Sequence, residues 1–338
     1  MAVSRLRPFC VSMANLLVLV AITLAPAATG KDGNATKQSG KGATIRTLQF
    51  PSGLSLGRIL VGNERAIFGD YHVFQQVSGA SGTVKINVPA GTRVLFEANR
   101  RIFEDPTLLN KISPVGIDAL KLNLISLDDR EDDMCDRALG YVRHFTGVTE
   151  VNVDRSDATD IGVAKLKDVP SLIGISCFLS AINGACFKDL AALPALKALW
   201  VADCNIKQDN MRYLAQFPAL EELELDRTHL DEIGSKGLAA CRNLQTLSLR
   251  GNPRFSDTAL KQLSGLPDLS SLDLRSTPVT LAGFKNLKLP RLKFLILPQS
   301  MQKDLAAMKA LFPKVAIAIG AERGTLTKEN STLYAPLH

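Results

Sequence analysis

The sequence predicts an α/β solenoid. Right-handed strand–turn–helix units stack so that their strands form a parallel concave sheet and their helices line the convex face. A small antiparallel β domain precedes the array. Three observations carry this prediction. One apolar spacing recurs about every 24 residues from Ile117 onward. Each recurrence is followed by a stretch with helical periodicity. The composition is 46% hydrophobic but only 6% aromatic, which suits a stacked aliphatic core better than a large enzyme pocket.

In chain order, residues 1–27 read as a secretory signal. Arg5 and Arg7 supply a positive start, Leu16–Ala25 is a short apolar run, and Ala25-Pro26-Ala27 places small residues before a cut at Ala28. The run is short for a membrane span, although an uncleaved anchor remains the alternative reading. Residues 28–43 are Gly-, Lys-, Ser- and Thr-rich and read as a disordered linker. Asn34 and Asn330 open glycosylation sequons. Within residues 44–103, Thr83–Val88 alternates polar and apolar, Val94–Ala98 returns as a second strand, and Ile45–Phe50, Ser55–Val61 and Tyr71–Val77 are strand-like, with Pro and Gly between them. This predicts about five short antiparallel strands, acting as a cap or spacer over the open end of the array.

The solenoid is expected over 104–319, as about eight units and a closing strand. Leu196–Ile206 shows the unit most clearly: Leu196, Leu199, Val201 and Ile206 hold its first, fourth, sixth and eleventh places, and Cys204 the ninth. Units start at Ile117, Val148, Leu172, Leu196, Leu220, Leu244, Leu269 and Leu292. The long first step contains the acidic run Asp128–Asp133, which lacks the central Gly and alternating ligands of a calcium loop and reads as a solvated loop. Helices are expected after each strand, as at Gly162–Val169, Cys186–Leu193, Asn210–Phe217 and Asp257–Leu266, and Pro follows the last residue of each stretch. This spacing resembles the cysteine-containing type of leucine-rich repeat. The resemblance implies a strand, a ladder residue at place nine, a short turn and a convex helix. Here the ladder reads Ile125, Ser156, Ser180, Cys204, Thr228, Asn252, Thr277 and Ser300, so small polar side chains replace most of the Asn or Cys. Phe312–Ile319 is the expected closing strand, and 320–338 a polar tail.

The chemistry-bearing residues are sparse. Apart from Cys10 in the leader, the five cysteines (Cys135, Cys177, Cys186, Cys204, Cys241) fall on the ladder, a strand or the helices, and read as buried structural thiols. The four histidines sit in no metal-binding or catalytic spacing, and no nucleophile elbow or phosphate loop occurs. No cofactor, metal site or catalysis is therefore expected. A net charge of +7 without a dense basic patch argues against a nucleic-acid partner.

Strand alternation assigns places three, five, seven and eight to the concave face. Trp200, the only tryptophan, lands there beside Phe178. Asp203, Glu222, Glu224 and Asp226 flank it, and Arg227, Arg250 and Arg275 follow. Aromatic and Arg side chains dominate binding hot spots, so these nine residues are the candidate partner-binding set. The expectation is a secreted, periplasmic or extracellular module that binds a protein partner without catalysis and without membrane insertion once the signal is removed. An envelope or matrix component is one alternative. An enzyme with its site in the β domain or at the domain interface is another. The sequence does not set the oligomeric state.

Overall fold

A computed structural model describes residues 43–63, 74–125 and 133–320. The signal, nearly all of the linker, Tyr71, the sequons, most of the acidic run and the tail beyond Gly320 lie outside the described residues.

Fourteen strands are described. The first five are β1 (Thr44–Gln49), β2 (Gly57–Gly62), β3 (Gln75–Gly79), β4 (Thr83–Val88) and β5 (Arg93–Ala98). One strand per unit follows: β6 (Ala119–Lys121), β7 (Glu150–Asn152), β8 (Gly174–Ser176), β9 (Ala198–Trp200), β10 (Glu222–Glu224), β11 (Thr246–Ser248), β12 (Ser271–Asp273) and β13 (Phe294–Pro298). The closing strand is β14 (Ala316–Gly320). From β5 to β14 every neighbouring pair is parallel.

Register follows from the fourth place of each unit. Leu120, Val151, Ile175, Leu199, Leu223, Leu247, Leu272 and Leu295 lie opposite one another across successive pairs, and all are buried. Strands of three residues hold few hydrogen bonds each, so this continuous apolar column is what fixes the stack. A one-residue slip would turn every one of these side chains to the solvent face. Each unit buries its apolar face only against its neighbours.

The N-terminal strands differ in arrangement from a free-standing domain. β2 pairs antiparallel with both β3 and β5, and β5 pairs parallel with β6. Three of the five strands thus extend the solenoid sheet, and Ile59 and Phe96 continue its apolar column. Only β1 and β4 form a separate antiparallel pair. Their Leu48, Val84 and Ile86 belong to the same buried cluster as the solenoid core. Strand direction reverses between β2 and β5, before residue 103, and the core runs through that boundary without a gap.

The convex side is less helical than the periodicity suggests. Asp160–Ala164 and Asp257–Gln262 are short α-helices, whereas Gln208–Gln216 is a 3-10 helix. Polar caps tie these helices together. Asp136 accepts from Thr159 N at 2.8 Å and from Thr159 Oγ1 at 2.5 Å. Asp257 treats Thr280 the same way, at 2.8 and 2.6 Å. In both cases the following unit carries a glycine against the acid. A Cβ on Gly162 would overlap Asp136 Oδ1, and one on Gly283 would overlap Asp257 Oδ1.

The ninth place closes each turn. Ser156, Ser180, Thr228 and Thr277 donate their hydroxyls to the carbonyl three residues back, at 2.6, 2.8, 2.8 and 2.7 Å. Cys204 instead reaches the preceding unit, with Sγ 2.9 Å from Cys177 O. Asn252 does most: Nδ2 donates to Leu225 O and Leu249 O, and Oδ1 accepts from Thr228 N and Leu230 N. The two ends depart from the expected ladder. Ile125 and Ser300 are exposed and take no part in it. Ile125 has no hydrogen-bonding group to offer a turn, and Ser300 falls in the 3-10 turn Gln299–Asp304.

Asn252→Ala would leave Thr228 N, Leu230 N and Leu249 O without this partner, whereas Leu225 O keeps the Thr228 hydroxyl. Unsatisfied buried polar groups cost about 1–3 kcal/mol each, partly offset by relaxation, so a loss of roughly 3 kcal/mol is expected in urea unfolding. Thr228→Ser, which keeps the hydroxyl, should lose far less.

Candidate functional site

In the six units of β7 to β12 the eighth place is built by a repeated left-handed turn. Arg155, Leu179, Asp203, Arg227, Gly251 and Ser276 hold the eighth place, with φ between 53° and 70°. Side chains other than Gly adopt this region at a cost. The turn persists because it aims the backbone N–H at the next unit. Arg155, Leu179, Asp203, Arg227 and Gly251 donate to the carbonyls of Phe178, Ala202, Asp226, Arg250 and Arg275, at 2.6 to 2.9 Å. Gly251 also clears space, because a Cβ there would press on the Arg227 side chain.

Within this frame the concave carboxylates lock onto the neighbouring unit. Asp154 Oδ1 accepts from Ser176 Oγ at 2.5 Å and Phe178 N at 2.8 Å. Three units further on, Asp226 Oδ1 repeats the bond with Ser248 Oγ at 2.5 Å and Arg250 N at 2.9 Å. The bases are committed too. Arg227 grips Asp203 with a two-pronged contact, its Nε 2.5 Å from Oδ1 and its Nη2 on Oδ2. Arg250 Nε lies 3.0 Å from Asp226 Oδ2, and Arg275 chelates Asp273 in its own unit. Towards the N-terminal end, Arg93 pairs with the fully buried Glu150. Lys121 and Arg58 pair with Glu97 and, against the effect of burial, hold its carboxyl below the usual range.

The predicted residues separate on this geometry. Trp200 is half-buried on β9, directly opposite Glu224 on β10 and Ser176 on β8. Phe178 is half-buried, with Arg155 Cζ 5.3 Å from its ring centroid. Asp203 and Arg227 sit together in the turns. Glu222 and Glu224 are half-buried on β10, Asp226 is buried, and Arg250 neighbours it. Arg275 stands apart, held by Asp273 on β12. One residue of the face escaped the sequence reading. Leu179 is 50% exposed in its left-handed turn and follows Phe178. Its signal was an aliphatic residue in a column that elsewhere holds Arg, Asp, Gly, Ser and Gln, apart from Leu124 in the first unit. Phe178 and Leu179 thus stand one unit before Trp200, and all three are partly or largely exposed.

Glu224 is electrostatically unusual. Burial and the charge of Asp226 push its carboxyl up to about 8, although Arg250 and Arg227 pull the other way. Burial likewise raises Asp226 and Asp154. The five thiols are all free and buried, and burial pushes Cys135 up to about 11 and Cys241 to about 12. Thiolate is therefore scarce at neutral pH. Among the described residues no group of three or more His, Cys, Asp or Glu side chains is arranged to hold a metal ion. No described helix is long and apolar enough to cross a membrane.

Because the folded-state value of Glu224 lies above the ordinary one near 4.5, the folded protein holds this proton where the unfolded chain has lost it. Its effect on stability is absent below about 4.5 and grows unfavourable as pH rises towards 8. Glu224→Gln should match wild type at pH 4 and exceed it increasingly from pH 5 to pH 9 in urea midpoint. A constant difference across that range would contradict the assignment.

Residues 218–279, spanning β10 to β12, match the family model described as leucine rich repeat. The comparison with curated proteins finds no match. The match and the parallel sheet that runs through it in one register support a leucine-rich-repeat protein.

Proposed function

We propose that this chain is a secreted, non-catalytic interaction module that holds a protein partner on the concave face of its solenoid. The observation that carries the reading is the presence of three partly exposed apolar side chains, Phe178, Leu179 and Trp200, on two neighbouring units beside the ion pairs Arg227–Asp203 and Arg250–Asp226. Exposed apolar groups ringed by polar side chains mark interaction surfaces. Side chains fixed before binding lose little freedom on binding. Leucine-rich repeats suggest a protein partner, and the leader-like residues 1–27 favour export. Burial of all five thiols is compatible with an oxidising compartment, since none is presented for pairing.

Affinity capture from the extracellular or periplasmic fraction tests the reading. The mature chain should retain a specific partner, and Trp200→Ala combined with Leu179→Ala should weaken capture by about 30-fold or more, the scale of a hot-spot loss. Unfolding of that variant should stay cooperative, and Ile161→Ala on the convex side should capture normally. Undiminished capture by the double variant would sink the concave-face assignment.

A further inference from the structure

The last strand of the solenoid has a neighbour on one side only. β14 pairs parallel with β13, and among the described residues no strand lies beyond it. In earlier units the sixth-place N–H bonds forward: Val201 N donates to Glu224 O at 3.0 Å and Leu225 N to Ser248 O at 2.9 Å. Ile319 holds that place in β14, opposite Leu297, and its N–H meets no further unit among the described residues. Ile317, two residues back, shares its direction. Ala316 N turns the other way, to Lys293 O at 2.8 Å. β14 itself carries none of the charged residues that commonly guard a sheet edge. The core behind it is not sealed either. Leu311 is 43% exposed, and Phe312, Val315, Ile317 and Ile319 are only partly buried. End units of solenoids usually turn a polar face outward.

Positive charge surrounds this edge. Residues 285–320 hold seven Lys or Arg and a single acid, Asp304. Lys293 and Lys314 flank the start of β14. Lys303 and Lys309 lie on the 3-10 turn Gln299–Asp304 and the helix Leu305–Leu311, which pack against it. All four lysines are exposed. Of the seven bases only Arg291 is paired, with Asp268, among the described residues.

We propose that an acidic, extended segment of a partner polypeptide adds to β14 as a further strand. Its main chain pairs with the N–H and C=O groups of Ile317 and Ile319, and its apolar side chains cover the open end of the core. Its carboxylates face the lysines. This surface lies beyond the concave-face reading and does not depend on it. Charge complementarity selects the occupant. A second copy would bring the same bases against these. Residues 321–338 hold two acids and two bases, so they offer no net charge in answer. A nucleic acid or an anionic membrane would answer the lysines but leave the strand edge unpaired. Exposed ion pairs are individually weak and screened by salt. Strand pairing therefore supplies the register, and the lysines favour acidic sequences.

Fluorescence anisotropy of a labelled peptide tests the proposal. Fluorescein-labelled Glu-Val-Glu-Val-Glu-Val is titrated with the full chain at low salt. It should bind saturably, and raised salt should weaken it. The equally charged Glu-Gly-Glu-Gly-Glu-Gly, a poor strand former, should bind about tenfold more weakly, the scale of lost strand pairing and apolar cover. Lys-Val-Lys-Val-Lys-Val should not bind. Lys293→Glu combined with Lys314→Glu should weaken the Glu-Val peptide about tenfold, the scale of two exposed pairs turned repulsive. Ile319→Pro removes the outward N–H at a position where an edge strand tolerates proline, and should also cost about tenfold. Lys188→Glu, exposed on the helix Phe187–Leu190, should behave as wild type. Circular dichroism checks each fold. Should Ile319→Pro unfold, the double lysine variant and the Glu-Gly peptide decide alone. The proposal is overturned if the Glu-Val peptide does not bind, or if the Glu-Gly or Lys-Val peptide binds as well. Undiminished binding by the double lysine variant or by folded Ile319→Pro overturns it too. Tighter binding of oligothymidylate or of phosphatidylserine vesicles than of the Glu-Val peptide would also overturn it, and would reassign the lysines to nucleic acid or membrane.

Discussion

The apolar column running from Ile59 through Phe96, Leu199 and Leu272 to Ile317 is the constraint on which the rest depends. Its members lie opposite one another across successive strands. Three-residue strands do not hold themselves in register, and it is the burial of this column that does so. Once register is set, every other place in the unit meets its own kind in the next. Ladder side chains then meet turn carbonyls, left-handed N–H groups meet the next turn, and concave carboxylates meet the hydroxyl or base one unit on.

This repetition has an electrostatic consequence. On a free surface, Arg227, Arg250 and Arg275 would be flexible cations available to a partner. Here Asp203, Asp226 and Asp273 hold them. All three bases are thus held in ion pairs within the solenoid. What stays uncommitted at the centre is Glu224, with its proton retained by burial and by Asp226.

Much of the fold was legible because its signal is periodic. The places of Leu199, Val201, Cys204 and Ile206 in one unit predicted burial in the others, and the structure follows that register through β13. Trp200 could be assigned to the concave face by the same alternation. The pairing of Arg227 with Asp203 was not legible, because it depends on left-handed turns that place two eighth-place side chains side by side. Leu179 was missed for the same reason. The continuity of β5 with β6 was hidden because alternation does not tell parallel from antiparallel pairing. The raised value of Glu224 needs its depth and its neighbours, which no spacing contains.

The central claim is that the basic side chains of the concave face are neutralised within the protein, leaving Trp200 in a carboxyl-rich surround. Collisional quenching of Trp200 fluorescence by caesium and by iodide, at matched ionic strength and pH 9, measures that surround. Caesium should quench more strongly than iodide once each is scaled to a free indole, and Glu224→Gln should narrow the difference. Stronger quenching by iodide would mean that Arg227 and Arg250 present free positive charge, and would contradict the account.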